Sequence, residues 1–165
     1  MPHTKASQNK SRPKAGAGGM PAIDAMLCFS LYAANNAMNR VYQPLLEPLG
    51  LTYPQYLVLI ALWEEEGRGV GQIGSQIGLE SNTLTPLLKR MEAAGLLSRT
   101  RSAEDERQVL VHLTAKGKAL RRKAESIPGC ILSASGLSLS ELGALRDQLH
   151  TLREKLEESV KAKLI

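Results

Sequence analysis

Two cysteines, one stretch rich in hydroxyls and bases, and one basic loop carry the side chains in this chain that could do chemistry. Cys28 lies in the apolar run Met26-Leu27-Cys28-Phe29, and Cys130 follows Pro128-Gly129 far downstream. A thiolate attacks electrophiles and a thiol hardly does, so a reactive cysteine needs access and a neighbour that stabilises negative sulfur. No Lys, Arg or His adjoins Cys28 in sequence, so any activation must act through space. The opposing expectation is a small buried hydrophobe, the commonest fate of a free cysteine.

The second group lies in SNTLTPLLKRMEAAGL. Ser81, Asn82, Thr83 and Thr85 are short polar side chains, Pro86 follows, and Lys89 and Arg90 come one turn later. A helix starting there offers free amides and hydroxyls to phosphate, and arginine is the commonest reader of guanine. Pro86 would cost a backbone bond in a helix interior and less near the N-terminus, where it would help present the first turn. Arg99, Arg101 and Arg107 lie on or beside the polar loop Ser102-Ala103-Glu104-Asp105-Glu106. An arginine on a protruding loop fits a narrow A/T-rich minor groove, and Asp105 is placed to orient the Arg107 guanidinium by a charge-assisted bond. Taken singly, each of these is equally a solvated charge.

Other chemistries find little support. His3, His112 and His150 are scattered, no Cys/His spacing fits a metal site, and there is no Gly-rich phosphate loop or G-x-S-x-G. No metal, no cofactor and no hydrolase activity is expected. Met26, Met38 and Met91 fall on helical faces and read as packing residues.

The elements that must position these groups follow from composition and periodicity. The 165 residues are 43% hydrophobic and 22% charged, enough for one packed domain with appended elements. Aromatics make up only 4%, which favours helices over a β-sandwich. The net charge of +5 is uneven: +4 over residues 1–21, −4 over 22–80, +6 over 81–123 and −1 over 124–165. Positive charge concentrated in one central segment and a leading tail suits a polyanion such as DNA. No stretch reaches the roughly 18 apolar residues of a membrane span, and the basic start has no apolar core of a secretory signal. A cytoplasmic protein is expected, with cysteines that are a matter of reactivity instead of stapling.

Apolar residues recur at helical intervals from Ile23 to Leu46, ended by Pro48-Leu49-Gly50. Thr52 and Gln55 form a capping box before an all-round apolar helix that ends before Gly67. A short helix over Val70–Ile77 closes at Gly78, and Ser81 caps the next, with Leu84, Leu87, Leu88 and Met91 inward. Leu97–Arg101 and Gln108–Leu113 read as two strands, Val109, Val111 and Leu113 sharing a face. Thr114 caps a basic helix to about Ser126, interrupted by Pro128-Gly129. Ser138 and Glu141 then cap a long helix with Leu142, Leu145, Leu149, Leu152 and Leu156 in a 3-4 rhythm.

The expected fold is mainly α: a winged helix-turn-helix over 51–113, with a dimerisation region of long helices over 22–50 and 114–165. Residues 1–21 are too poor in apolar side chains to order themselves. The apolar stripes on the flanking helices call for a second subunit, the alternative being an intrachain bundle.

The stretch LTPLLKRMEAAGLLSRTRSAEDERQVLVHLTAKG resembles the recognition helix and wing of the MarR family of bacterial repressors, the Asp105-x-Arg107 motif included. More narrowly, CFSLYAANNAMNRVYQPLLEPLGLTYPQYLVLIALWEEE resembles the N-terminal half of the organic-hydroperoxide sensors of that family, the OhrR type, and the likeness extends over about residues 26–160. The resemblance implies a homodimer on a pseudo-palindromic double-stranded operator, released when an organic hydroperoxide oxidises Cys28. It also implies that Tyr42 and Tyr53 give hydrogen bonds to the reactive sulfur; on the residues alone both read as amphipathic core positions. Two-cysteine members pair the reactive cysteine with one near the position of Cys130 from the other subunit. Cys130 is then the resolving thiol, or it is silent and small cellular thiols cap Cys28. The implied target is a hydroperoxide-detoxifying gene. Two rival readings remain: a MarR-type repressor answering a non-covalent aromatic ligand, and a thiol peroxidase, which would need no basic wing.

Overall fold

The structure is a computed structural model that describes residues 22–103, 105 and 107–163. The basic tail 1–21 lies outside the described residues, as do Glu104 and Glu106 of the polar loop. By internal contacts the chain divides into two compact units, the first ending at Arg40 and the second beginning at Val41.

A 3-10 turn, Ile23–Ala25, precedes helix α1, Leu27–Leu46, which begins in the first unit and ends in the second, so the helix expected from Ile23 starts four residues later. Met26 is extended between the two. No residue of α1 before Leu46 is buried, and Leu27, Leu31, Tyr32 and Met38 stand exposed. Pro44 lies inside α1 and has no amide to give the carbonyl of Arg40, so the helix loses one bond in its last turns.

The second unit holds the core. Helix α2, Tyr53–Glu64, begins where the Thr52 amide donates to Gln55 Oε1 at 2.8 Å, and Pro54 sits in its first turn. Its apolar character on every side has a simple cause: Tyr56, Val58, Leu59, Ala61 and Leu62 are all buried. Helix α3, Val70–Ile77, ends at Gly78 in the left-handed region (φ 69°), as the sequence predicts. Helix α4, Ser81–Ala93, buries Leu84, Leu87, Leu88 and Met91, but its cap position is Glu80 and Ser81 is the first helical residue.

Strand β2, Leu97–Arg101, pairs antiparallel with β3, Val109–Leu113, in the register Leu97↔Leu113 to Arg101↔Val109. The sheet has a third strand, β1, beyond the two that the sequence predicts. It is only Arg68–Gly69, too short for alternation to show, and it joins the other edge of β3 through Arg68↔Val111.

Helix α5, Ala115–Ala124, is capped by the Thr114 hydroxyl, which accepts from the Gly117 amide at 3.1 Å. A Cβ on Gly117 would stand 2.1 Å from the Leu96 carbonyl oxygen, so only glycine lets α5 approach the hairpin this closely. Residues 127–135 correct the expected break. Instead of a gap at Pro128-Gly129 there is a helix, α6, Ile127–Ser135, because Pro128 falls in its first turn, where the missing amide costs nothing. Helix α7, Leu139–Lys163, starts at the expected cap, with the Ser138 amide donating to Glu141 Oε2 at 2.9 Å. Leu145, Leu149, Leu156 and Val160 of α7 remain exposed. No single described helix is long and apolar enough to cross a membrane.

Candidate functional site

Burial of four apolar residues turns the rest of α4 outward. Asn82, Thr83, Pro86, Lys89 and Arg90 are exposed and follow the spacing of one helical face, with Ser81 exposed at its start. The Thr83 hydroxyl donates to Asn82 Oδ1 at 3.1 Å. Pro86 is the sixth residue of the helix, past the amides that lack partners in any case, so it does remove one bond, at the Asn82 carbonyl.

The hairpin β2–β3 projects beside this face. Asp105 organises its turn through the backbone: Oδ1 accepts from the Arg107 amide at 3.0 Å, and Oδ2 accepts from Gln108 Nε2 at 3.2 Å. The carboxylate therefore shapes the loop and does not hold the Arg107 guanidinium, contrary to the expected charge-assisted bond. Arg107 and Arg101 are exposed. Arg99 differs. Its Nε and Nη2 donate to Glu92 Oε2 at 2.9 and 2.6 Å, and its amide donates to Glu92 Oε1 at 3.0 Å. The Arg99 guanidinium in turn holds the Glu92 carboxyl below the usual carboxylate range. An open groove of about 470 Å3 runs between α3, α4 and the hairpin, bordered by Gln72, Thr85, Leu88, Arg99, Arg107 and Gln108.

The second unit also gathers aromatic rings. Tyr42 and Tyr53 have ring centroids 4.6 Å apart, with the rings tilted by 44°. Tyr56 stands 6.1 Å from Tyr42 and 6.2 Å from Trp63. Burial, with the neighbouring phenols adding to it, pushes the Tyr42 hydroxyl up to about 12; burial likewise raises Tyr53 and Tyr56. All three stay protonated at neutral pH and keep a proton to donate. The resemblance pointed to Tyr42 and Tyr53, which the residues alone give as core positions, and neither reading named Tyr56 or Trp63. The signal was present, since Tyr53, Tyr56 and Trp63 recur at helical spacing along one side of α2.

Both cysteines are free and exposed. Cys28 occupies the first turn of α1, in the unit before Arg40, and Cys130 lies on α6. The expectation of a buried, inert Cys28 is not met in the isolated chain.

Comparison with known proteins places this geometry. A family profile described as Transcriptional regulator SarA/Rot matches residues 40–123. The organic hydroperoxide resistance transcriptional regulator of Bacillus subtilis is 50% identical over 136 residues, 82% of this chain and 92% of that protein. The transcriptional regulator TtmR of Methylorubrum extorquens is 50% identical over 135 residues, 82% of this chain and 69% of that protein. Among solved structures, reduced AbfR bound to DNA is 37% identical with a TM-score of 0.63, over 79% of this chain and 92% of that one. AbfR is a protein of Staphylococcus epidermidis, and its disulfide-formed state matches at 35% identity and a TM-score of 0.53, over 82% of this chain and 90% of that one.

Proposed function

This chain belongs to the MarR family of winged-helix transcriptional regulators, in its organic-hydroperoxide-sensing branch, and from that premise we propose that it represses as a cytoplasmic homodimer until Cys28 is oxidised. What supports the redox part is the 50% identity to the organic hydroperoxide resistance transcriptional regulator of Bacillus subtilis over 82% of this chain, with Cys28 in the first turn of α1. The DNA-bound and disulfide-formed states solved for AbfR support both halves of the reading.

In the reduced protein, α4 of each subunit lies in a major groove. Ser81, Asn82, Thr83 and Thr85 serve phosphates, Lys89 and Arg90 reach phosphates and base edges, and Pro86 sets the surface of the first turns. Arg101 and Arg107 of the hairpin meet the minor groove and its phosphates, with Asp105 fixing the loop that carries Arg107. Two such heads fit adjacent grooves only when about 34 Å apart, so the operator is pseudo-palindromic. The exposed leucines of α7 and the apolar residues of α1 form the subunit interface that fixes this spacing.

The Cys28 thiolate attacks the terminal oxygen of an organic hydroperoxide. The O–O bond breaks, a sulfenic acid forms on Cys28, and the alkoxide takes a proton and leaves as an alcohol. In the dimer, Tyr42 and Tyr53 donate to the reduced sulfur, and their neutral hydroxyls are suited to an anion. Oxidation takes that acceptor from them. The Cys130 thiol, or a small cellular thiol, then displaces hydroxide from the sulfenic sulfur, giving a disulfide and water. The resulting movement of the interface helices changes the spacing of the heads and DNA is released.

A gel shift on the gene's own upstream DNA, with and without cumene hydroperoxide, tests the assignment. Cys28→Ser is expected to bind as wild type does and to ignore peroxide. Release of that variant by peroxide removes Cys28 as the sensor, and its release by an aromatic acid would favour a non-covalent effector.

A further inference from the structure

The Glu92–Arg99 pair joins the two parts of the DNA-reading head. Glu92 belongs to the last turn of α4, and Arg99 is the central residue of β2, opposite Val111 of β3. One carboxylate accepts three hydrogen bonds from this one residue, two from the guanidinium and one from the backbone amide. A contact to side chain and main chain together fixes the strand itself, not merely a long flexible side chain. Between α4 and β2 there are only Ala94, Gly95 and Leu96, with Gly95 in the left-handed region (φ 69°); their carbonyls accept from Lys116 and Thr114, so the Glu92–Arg99 pair braces the hairpin on the α4 side of a turn that is also held from α5.

The hairpin's angle has leverage. Five residues of strand extend about 17 Å, so a rotation of roughly 10° at the base moves the turn carrying Arg107 by about 3 Å, more than a hydrogen bond tolerates. Arg99 also has its charge already matched by Glu92, whereas Arg107 and Arg101 stand exposed and form no ion pair among the described residues. The pair is partly buried, with 24% of the Arg99 side chain and 36% of the Glu92 side chain exposed.

We infer that Glu92 is a positioning residue for DNA recognition: acting through Arg99, it holds the hairpin at the angle that lets Arg107 and α4 engage neighbouring grooves at once. The inference rests on the DNA-binding reading above.

The test uses the full-length reduced protein on its upstream duplex, with affinity measured by fluorescence anisotropy across salt concentrations and contacts mapped by hydroxyl-radical footprinting. Glu92→Ala is expected to bind at least tenfold more weakly, with a thermal midpoint near that of wild type. Protection is expected to vanish in the minor groove beneath the hairpin while it persists around α4. The slope of log affinity against log salt should fall by about one, as for Arg107→Ala, because the same cation is withdrawn. Adding Arg107→Ala to Glu92→Ala should then cost little more. Glu92→Gln, which keeps the shape and loses the charge, should give a smaller loss with the same footprint. Unchanged affinity, equal loss of protection in both grooves, or independent effects of the Glu92 and Arg107 substitutions would overturn the inference. A wild-type protein that binds no duplex selectively would instead overturn the reading beneath it.

Discussion

The DNA-reading head and the terminal helices use apolar residues in opposite ways. Within α2, α4 and the hairpin, Val58, Leu59, Leu62, Leu88, Met91 and Val111 are fully buried inside one chain. Along α7, by contrast, Leu145, Leu149, Leu156 and Val160 repeat at helical spacing and all face solvent, and α1 up to Arg40 buries nothing. The head completes its packing alone; the long helices do not. A device built this way keeps its reading surface rigid while its state of assembly stays adjustable. Cys28 lies on the incomplete part, and on the proposed reading that is where a chemical signal most easily alters how far apart two intact heads are held.

The contrast breaks first at α7. The double substitution Leu145→Asp, Leu149→Asp should give a folded monomer in sedimentation velocity. Its operator affinity should drop by about 10² to 10⁴-fold, the usual advantage of two tethered heads over one. A monomer that binds as tightly as wild type would remove assembly from the account. Within the head, Gly117→Ala presses a methyl group against the Leu96 carbonyl and should cost about 1–3 kcal/mol in chemical denaturation, whatever the oligomeric state. An unaltered midpoint would show that α5 and the hairpin yield easily and that the head is less rigid than its packing indicates.

The smallest effect concerns the tyrosines. Burial raises the Tyr42 hydroxyl to about 12 from an ordinary value near 10, so the unfolded chain releases this proton first as pH rises. Stability from this group is whole below pH 10 and is lost as pH climbs towards 12. Tyr42→Phe should flatten the alkaline fall in stability over that window; an identical fall would mean that Tyr42 is not sheltered.

Much of this arrangement is legible in the sequence because it is local. The caps at Thr52, Thr114 and Ser138, the stop at Gly78 and the inward face of α4 each follow from residues within one or two turns. What escapes is tertiary or too short to repeat. Strand β1 has two residues and exists through its pairing with β3. Helix α6 hides because Pro128 and Gly129 read as a break when the proline in fact occupies a first turn. Arg99 looks like any other basic residue until Glu92, seven positions earlier, is found gripping it. Asp105, likewise, binds the amide of Arg107 where the spacing suggests its guanidinium, since spacing alone does not separate the two.

The most direct test follows the sulfur and the DNA in the same tube. The operator complex is titrated with an organic hydroperoxide, mass spectrometry gives the fraction of Cys28 modified, and anisotropy gives the fraction of DNA bound. The account predicts that the two change together, with release complete when Cys28 is fully converted. A complex that persists with every Cys28 oxidised would contradict it.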